Sequence, residues 1–380
     1  MSSAITEKRI KLNGYLIFIF IYLFASSSII FGGELRIPSY EEVKEHFRGK
    51  FQAGMIIGLL IDGKEKIYSM GTKIKGKDYS IDQFTTFEIG SISKTFTATI
   101  LADLELKKLV NANDEFFKYF PQKYQKTLEA KYKGITLYHL VTHTSGIPRM
   151  PSNLGDIIKD PTLLEKYGVS QLVEYLNECK LDFKPGTSHR YSNLGMSILG
   201  FVLAKSQNCS YENLVKKHIF IPLGMNRSSL FLSDVQRSNM ALGYDQEGNN
   251  VPYWNATEIF QGSGFIKSCL FDMMIYLKTY LGLINNPLSK AAELASTPVA
   301  KGYPDTEICY AWYKEKIDED LYITCHNGST GGFYSFIGYT HPKRFGLVLL
   351  CNSKITQEIE SQVYEFFKKF GGVLYDNNQL

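Results

Sequence analysis

Apolar positions along this chain follow different periods in different stretches. Gly54–Ile61 is a nearly unbroken apolar run that ends at Asp62-Gly63, the pattern of a buried strand entering a hairpin turn, with Lys66–Met70 as its partner. From Ser93 to Leu109 the spacing becomes helical: Phe96, Ile100, Leu104 and Leu109 recur near one face. Leu172–Leu176 and Leu194–Ala204 also read as helices, as does Asp272–Leu281, where Asp272 is placed to cap the start. Near residue 300 the pattern returns to short runs. Ile308–Trp312, Leu321–Cys325, Tyr334–Tyr339 and Gly346–Cys351 are strand candidates with turn residues between them. A last helix, Thr356–Phe370, carries an apolar stripe of Ile359, Val363, Phe366, Phe367 and Phe370. Strands at both ends and helices between them predict an α+β fold: an antiparallel sheet built from both chain ends, flanked by helices, with an inserted, mostly helical region at about 110–260.

The N-terminus follows another rule. Lys8, Arg9 and Lys11 precede the apolar run Tyr15–Ala25, then Ser26, Ser27 and Ser28 and a short stretch ending at Gly32-Gly33. A basic end, a short apolar core and small residues beyond it read as a secretory signal peptide over residues 1–33, the alternative being an N-terminal membrane anchor. Residues 34–380 then form a single domain, exported to the periplasm or secreted.

Composition narrows the options. The 380 residues carry 42 Lys and Arg against 38 Asp and Glu, a net charge of +4. Lys8, Arg9 and Lys11 against Glu7 supply two of those charges. A near-neutral remainder argues against a nucleic-acid partner held by phosphate neutralisation. No dinucleotide fingerprint appears, and Gly58–Lys64 fails as a phosphate loop because Glu65 stands where Ser or Thr must hold magnesium. Six cysteines are scattered with no C-x-x-C pair, so no metal site is expected and no disulfide pairing is predicted; Cys309, Cys325 and Cys351 read as packed thiols. His139 and His143 lack the glutamate that a zinc-protease helix needs and read as structural.

Three segments carry candidate chemistry. Ser91-Ile92-Ser93-Lys94 heads the long helix, where residues three apart share a face. A serine hydroxyl needs a base, and a neutral lysine amine can serve; keeping Lys94 neutral at pH 7 costs about 4.6 kcal/mol, which burial or nearby positive charge must supply. Tyr191-Ser192-Asn193 follows the turn Lys184-Pro185-Gly186-Thr187 and precedes a helix start, a context that presents a side chain to a cleft. His326–Phe333 sits between two strand candidates. There Gly328 permits close backbone approach, and the N–H groups of Ser329 and Ser91 could form an oxyanion hole.

The block Phe87–Thr97, with Ser91 and Lys94 at its centre, resembles the active-serine signature of class C β-lactamases. Ile135–Pro148, Pro222-Leu223-Gly224-Met225 and 326–333 resemble further segments of the same penicillin-recognising serine hydrolases, in matching order from about 45 to 370. The resemblance implies a β-lactamase/transpeptidase-like fold with no cofactor. It implies Ser91 as nucleophile, Lys94 as its base and Tyr191 as proton shuttle. Asn193 would bind the substrate's side-chain amide, and His326, Gly328 and Ser329 would belong to the strand edge along which substrate lies. The implied substrate is a small β-lactam, or alternatively a peptidoglycan stem peptide or an ester. Class C enzymes usually carry Lys-Thr-Gly where this chain has His326-Asn327-Gly328. With an ordinary pKa near ~6.5, His326 would be mostly neutral at pH 7, so carboxylate binding there is expected to be weaker or pH-dependent.

Overall fold

Side-chain alternation in the terminal strands decides how the layers stack. The computed structural model describes residues 35–158, 166–255, 258–354 and 357–372; the expected leader lies outside them. One antiparallel sheet of eight strands contains β1 (Gly54–Ile61), β2 (Lys64–Gly71), β3 (Ala300–Lys301), β4 (Thr306–Ile308), β5 (Tyr313–Asp318), β6 (Leu321–Ser329), β7 (Tyr334–His341) and β8 (Phe345–Cys351). Their order is β2-β1-β8-β7-β6-β5-β4-β3, so the first and last segments of the domain meet mid-sheet, with Met55 opposite Cys351 and Ile61 opposite Phe345. The hairpin β1–β2 turns through Asp62 and Gly63, both at positive φ, the geometry a two-residue turn requires.

Both faces of this sheet are covered, which is why its central strands read as continuous apolar runs. Ile57, Leu59, Leu347 and Leu349 pack on one face with Val43 and the stripe Ile359, Val363, Phe366, Phe367 and Phe370. Those five residues lie on the C-terminal helix Gln357–Gly371. Ile56, Leu60, Val348 and Leu350 point the other way, into the larger core. Among the helices in that core are α1 (Ser93–Leu106), α2 (Asn193–Ser206) and α3 (Leu270–Leu281). The C-terminal helix is α4. Residues 35–372 make one compact unit, and among the described residues no helix is long and apolar enough to cross a membrane.

Four boundaries differ from expectation. Helix α1 stops at Leu106 rather than Leu109, because Lys108 turns to φ +56° and Leu109 is left half exposed. Asp272 does not cap α3. Cys269 holds that position, and the Asp272 carboxylate accepts the Arg227 N–H at 2.8 Å and the Ser228 hydroxyl at 2.7 Å. Ile308–Trp312 is not a strand: β4 ends at Ile308, and the next residues turn, with Ala311 at φ +55° donating its N–H to Val141 O. That turn is apolar because it is buried, with Trp312 fully enclosed. Finally, β6 continues through His326, Asn327 and Gly328 to Ser329, so these residues lie within a strand rather than between two.

Candidate active site

Ser91 lies in a single 3-10 turn, Gly90–Ile92, that feeds directly into α1. Lys94 follows one turn later and is fully buried, its Nζ 2.9 Å from Ser91 Oγ. The same amine donates to the carbonyl of Ser263, on the one-turn helix Gln261–Gly264. Threonine and serine side chains fix α1 against this neighbour: Thr97 donates to Gly262 O at 2.7 Å, and Ser93 Oγ accepts the Ile266 N–H at 3.1 Å. Burial, with the nearby Arg149 guanidinium adding to it, pushes Lys94 well below the usual lysine range. Those are the two contributions a neutral amine requires.

Tyr191 enters from the start of α2. Ser192 caps that helix, accepting the Gly195 N–H at 2.9 Å and donating to Pro148 O at 2.8 Å. His143 braces Tyr191 on both sides. Its carbonyl accepts the Arg190 N–H at 2.9 Å, its Nδ1 accepts the Ser192 N–H at 3.1 Å, and its ring lies 4.7 Å from the phenol ring. To accept at Nδ1 the imidazole must be neutral, and burial with neighbouring cations pushes its pKa well down. His139 instead accepts the Thr136 N–H at 3.2 Å and closes the start of a short helix. The Tyr191 ring sits 4.9 Å from Lys94 Nζ, its phenol interacts with the Ser91 hydroxyl, and burial raises its pKa to about 12. Asn193, the next residue but one, places its amide nitrogen 3.6 Å from Met150 Sδ.

Strand β6 forms the opposite wall. A Cβ on Gly328 would lie 2.2 Å from Ile89 O, and one on Gly90 would lie 2.8 Å from Ser329 N. Two glycines therefore let strand and serine turn meet backbone to backbone. The contact is pinned from both sides: Ser335 donates to Ile89 O at 2.8 Å, and Thr330 donates to the Glu88 carboxylate at 2.7 Å. Along the strand, side chains alternate. Asn327 points away and donates to Glu360 on α4 at 2.6 Å, while the His326 ring faces Tyr191 at 6.2 Å and Tyr313 at 5.8 Å.

His326 departs from the expected near-neutral titration. Burial, then Lys94, brings its pKa down to about 3. Nδ1 lies 2.5 Å from the carbonyl of Asn327, an acceptor, so Nδ1 carries the proton and Nε2 is a bare lone pair with no hydrogen-bond partner among the described residues. The expected pH-dependent cation is absent across the physiological range.

Ser91, Lys94, Tyr191, His326, Gly328 and Ser329 thus converge on one place. Sequence reasoning did not give three contributors their roles. Ser263 lies in Gln261–Phe265, which the family resemblance places near the cleft without a role, and it acts through its carbonyl, which any residue type could supply. His143 carries no motif for bracing a tyrosine. Arg149 lies just beyond the Ile135–Pro148 segment noted for its resemblance. Among the described residues, no group of three or more His, Cys, Asp or Glu is placed to hold a metal, and all six cysteines are free.

A family model described as Beta-lactamase matches residues 43–363. The chain belongs to the beta-lactamase family. Among relatives of this beta-lactamase-family chain is the beta-lactamase of Escherichia coli (strain K12), 25% identical over 346 residues, covering 79% of this chain and 84% of the relative. Penicillin-binding protein 4* of Bacillus subtilis (strain 168) is 27% identical over 301 residues, covering 73% of this chain and 63% of the relative. Two solved structures share the fold. A class C beta-lactamase superposes with TM-score 0.75 at 22% identity, covering 88% of this chain and 98% of the other. A D-alanine carboxypeptidase from Burkholderia cenocepacia superposes with TM-score 0.72 at 22% identity, covering 86% and 97%.

Proposed function

We propose that the chain is a serine β-lactamase of class C type that works through an acyl-Ser91 intermediate. The observation that carries this reading is a buried amine, its pKa pushed well below the lysine range, 2.9 Å from a serine hydroxyl, inside a family whose relatives include beta-lactamases.

In the proposed reaction, Ser91 Oγ bonds to the lactam carbonyl carbon and its proton passes to Lys94 Nζ. The Ser91 and Ser329 N–H groups, on the two backbones that meet at Gly90, receive the charge on the carbonyl oxygen. The lactam C–N bond then breaks. Its nitrogen takes a proton from the Tyr191 phenol, which is resupplied from Lys94. Water adds across the ester, releasing the opened acid and restoring the Ser91 hydroxyl. Asn193 takes the role of binding the substrate's side-chain amide. The N-terminal basic–apolar pattern supports export with residues 1–33 as the leader, and residues 34–380 as the hydrolase domain.

A second reading, a DD-peptidase or esterase, is favoured by one specific observation: the strand position that usually carries a lysine holds an uncharged imidazole. Both readings acylate and differ in deacylation, where a million-fold rate difference is only about 8 kcal/mol of barrier. Purified protein mixed with benzylpenicillin and a chromogenic cephalosporin separates them. Rapid turnover is expected. A long-lived adduct on Ser91 without turnover selects the peptidase, and no adduct overturns both penicillin-based readings. Ser91→Ala should lose acylation while its thermal unfolding stays nearly unchanged; turnover retained in that variant would remove Ser91 from the nucleophile's role.

A further inference from the structure

The charge inside the cleft is unusual in sign and in source. Burial in the first place pushes Lys94 well below the usual lysine range and keeps His143 and His326 as neutral imidazoles. Arg190, beside Tyr191 in sequence, is paired with Asp182 at 2.9 Å. Arg149 is the exception. Its guanidinium lies over the Tyr191 ring, 4.9 Å from the centroid, and its charge is felt at Lys94, His143 and Tyr191 alike. No carboxylate acts on any of those three groups. Among the described residues, no ion pair joins Arg149 to an acidic group, and the residue is exposed.

Its position is fixed. Arg149 O accepts the Leu194 N–H at 3.0 Å, Pro148 O accepts the Ser192 hydroxyl, and Met150 Sδ touches the Asn193 amide. Arg149 is therefore tied to the wall that carries Tyr191 and Asn193, not to β6. A guanidinium held over an aromatic ring by cation–π attraction retains N–H donors for a bidentate acceptor.

We propose that Arg149 makes the Asn193 end of the cleft an anion-binding subsite that selects substrates bearing a carboxylate on the acyl side chain. This rests on the reading of Ser91 as nucleophile and Asn193 as the side-chain amide contact. Benzylpenicillin and carbenicillin test it, because they share every group except one carboxylate on the acyl side chain. Arg149 also biases Lys94 and Tyr191, so its removal alters chemistry on both substrates; the ratio of their kcat/KM values cancels that common effect. Wild type should favour carbenicillin, and the carbenicillin-to-benzylpenicillin ratio should fall about tenfold or more in Arg149→Ala. Arg149→Lys should retain part of the preference, and added salt should shrink it.

An unchanged ratio, with both substrates losing equally, would mean that Arg149 meets the carboxylate common to both or only shapes the pocket, and would overturn the proposal. A calorimetric arm separates this from failure of the β-lactamase reading. Phenylboronic acid and its 3-carboxy derivative both add to a reactive serine without needing β-lactam turnover. Tighter binding of the carboxy derivative that is lost in Arg149→Ala supports the subsite even if neither penicillin is hydrolysed. Equal binding of the two boronates to wild type would sink it.

Discussion

Lys94 shows what a single residue must be given to become a base. Its amine is enclosed, has a carbonyl and a hydroxyl for partners, and has a cation rather than an anion nearby. The expected consequence is an acidic limb in the acylation rate: activity falls as pH drops through the lowered Lys94 value, well below the ordinary lysine range near ~10.4. Stopped-flow acylation across pH measures it, and a limb at the unshifted lysine value would contradict the assignment. His326 and His143 bear on stability instead. Both stay neutral in the fold after the unfolded chain has begun to protonate near ~6.5. The unfolded state then binds more protons, so stability is intact above that pH and declines as pH falls toward about 3, where His326 itself titrates. Each contributes a slope of up to about 1.4 kcal/mol per pH unit. Urea unfolding of His326→Gln between pH 4 and pH 7 should show a shallower decline than wild type; an identical slope would remove His326 from this linkage.

At the scale of elements, the site depends on how β6 leans against the serine turn. Gly328→Ala should push Ile89 and Ser335 away, with a cost of about 1–3 kcal/mol in stability and a larger proportional loss in kcat. If kcat fell no more than the folded fraction did, the backbone contact would be structural only. Glu88 is the buried anchor of the same contact. It accepts the Trp254 N–H at 2.6 Å and the Thr330 hydroxyl at 2.7 Å, and it lies beside buried Lys267, whose pKa burial lowers to about 8. Glu88→Ala leaves that cation without its anion and should destabilise by about 3–5 kcal/mol, measured by urea titration. Replacing Glu88 and Lys267 together with Leu and Met should recover part of the loss. These elements were unequally legible in the sequence. Runs buried on both faces, such as Gly54–Ile61 and Gly346–Cys351, announced themselves. Strand β5 did not, because Lys314, Glu315 and Lys316 mask its alternation. Ile308–Trp312 misled because a buried turn is as apolar as a strand. The Ser91–Lys94 pair was legible because helical spacing alone puts the two residues on one face, whereas Ser263 and Arg149 reach the site through tertiary packing that no local pattern encodes.

Across the whole molecule the two sheet faces have separate tasks. One faces the larger core, whose helices include α1, α2 and α3 and carry or brace the site; the other packs on α4. Phe367→Ala on α4 should therefore destabilise by about 3–5 kcal/mol while leaving kcat of the folded protein within about twofold. A large kcat change at full folding would show that the two faces are coupled, and Asn327, bonded to Glu360 behind the site strand, is where that coupling would run. The pairing of β1 with β8 carries a consequence for biosynthesis. Residues 54–61 pair locally with 64–71 but find their second partner only when 345–351 exist, so a nascent chain leaving the ribosome N-terminus first cannot close its sheet until translation is almost finished. An open sheet during that interval suits the export proposed for this chain, because passage through a membrane pore requires a polypeptide that has not yet closed its fold.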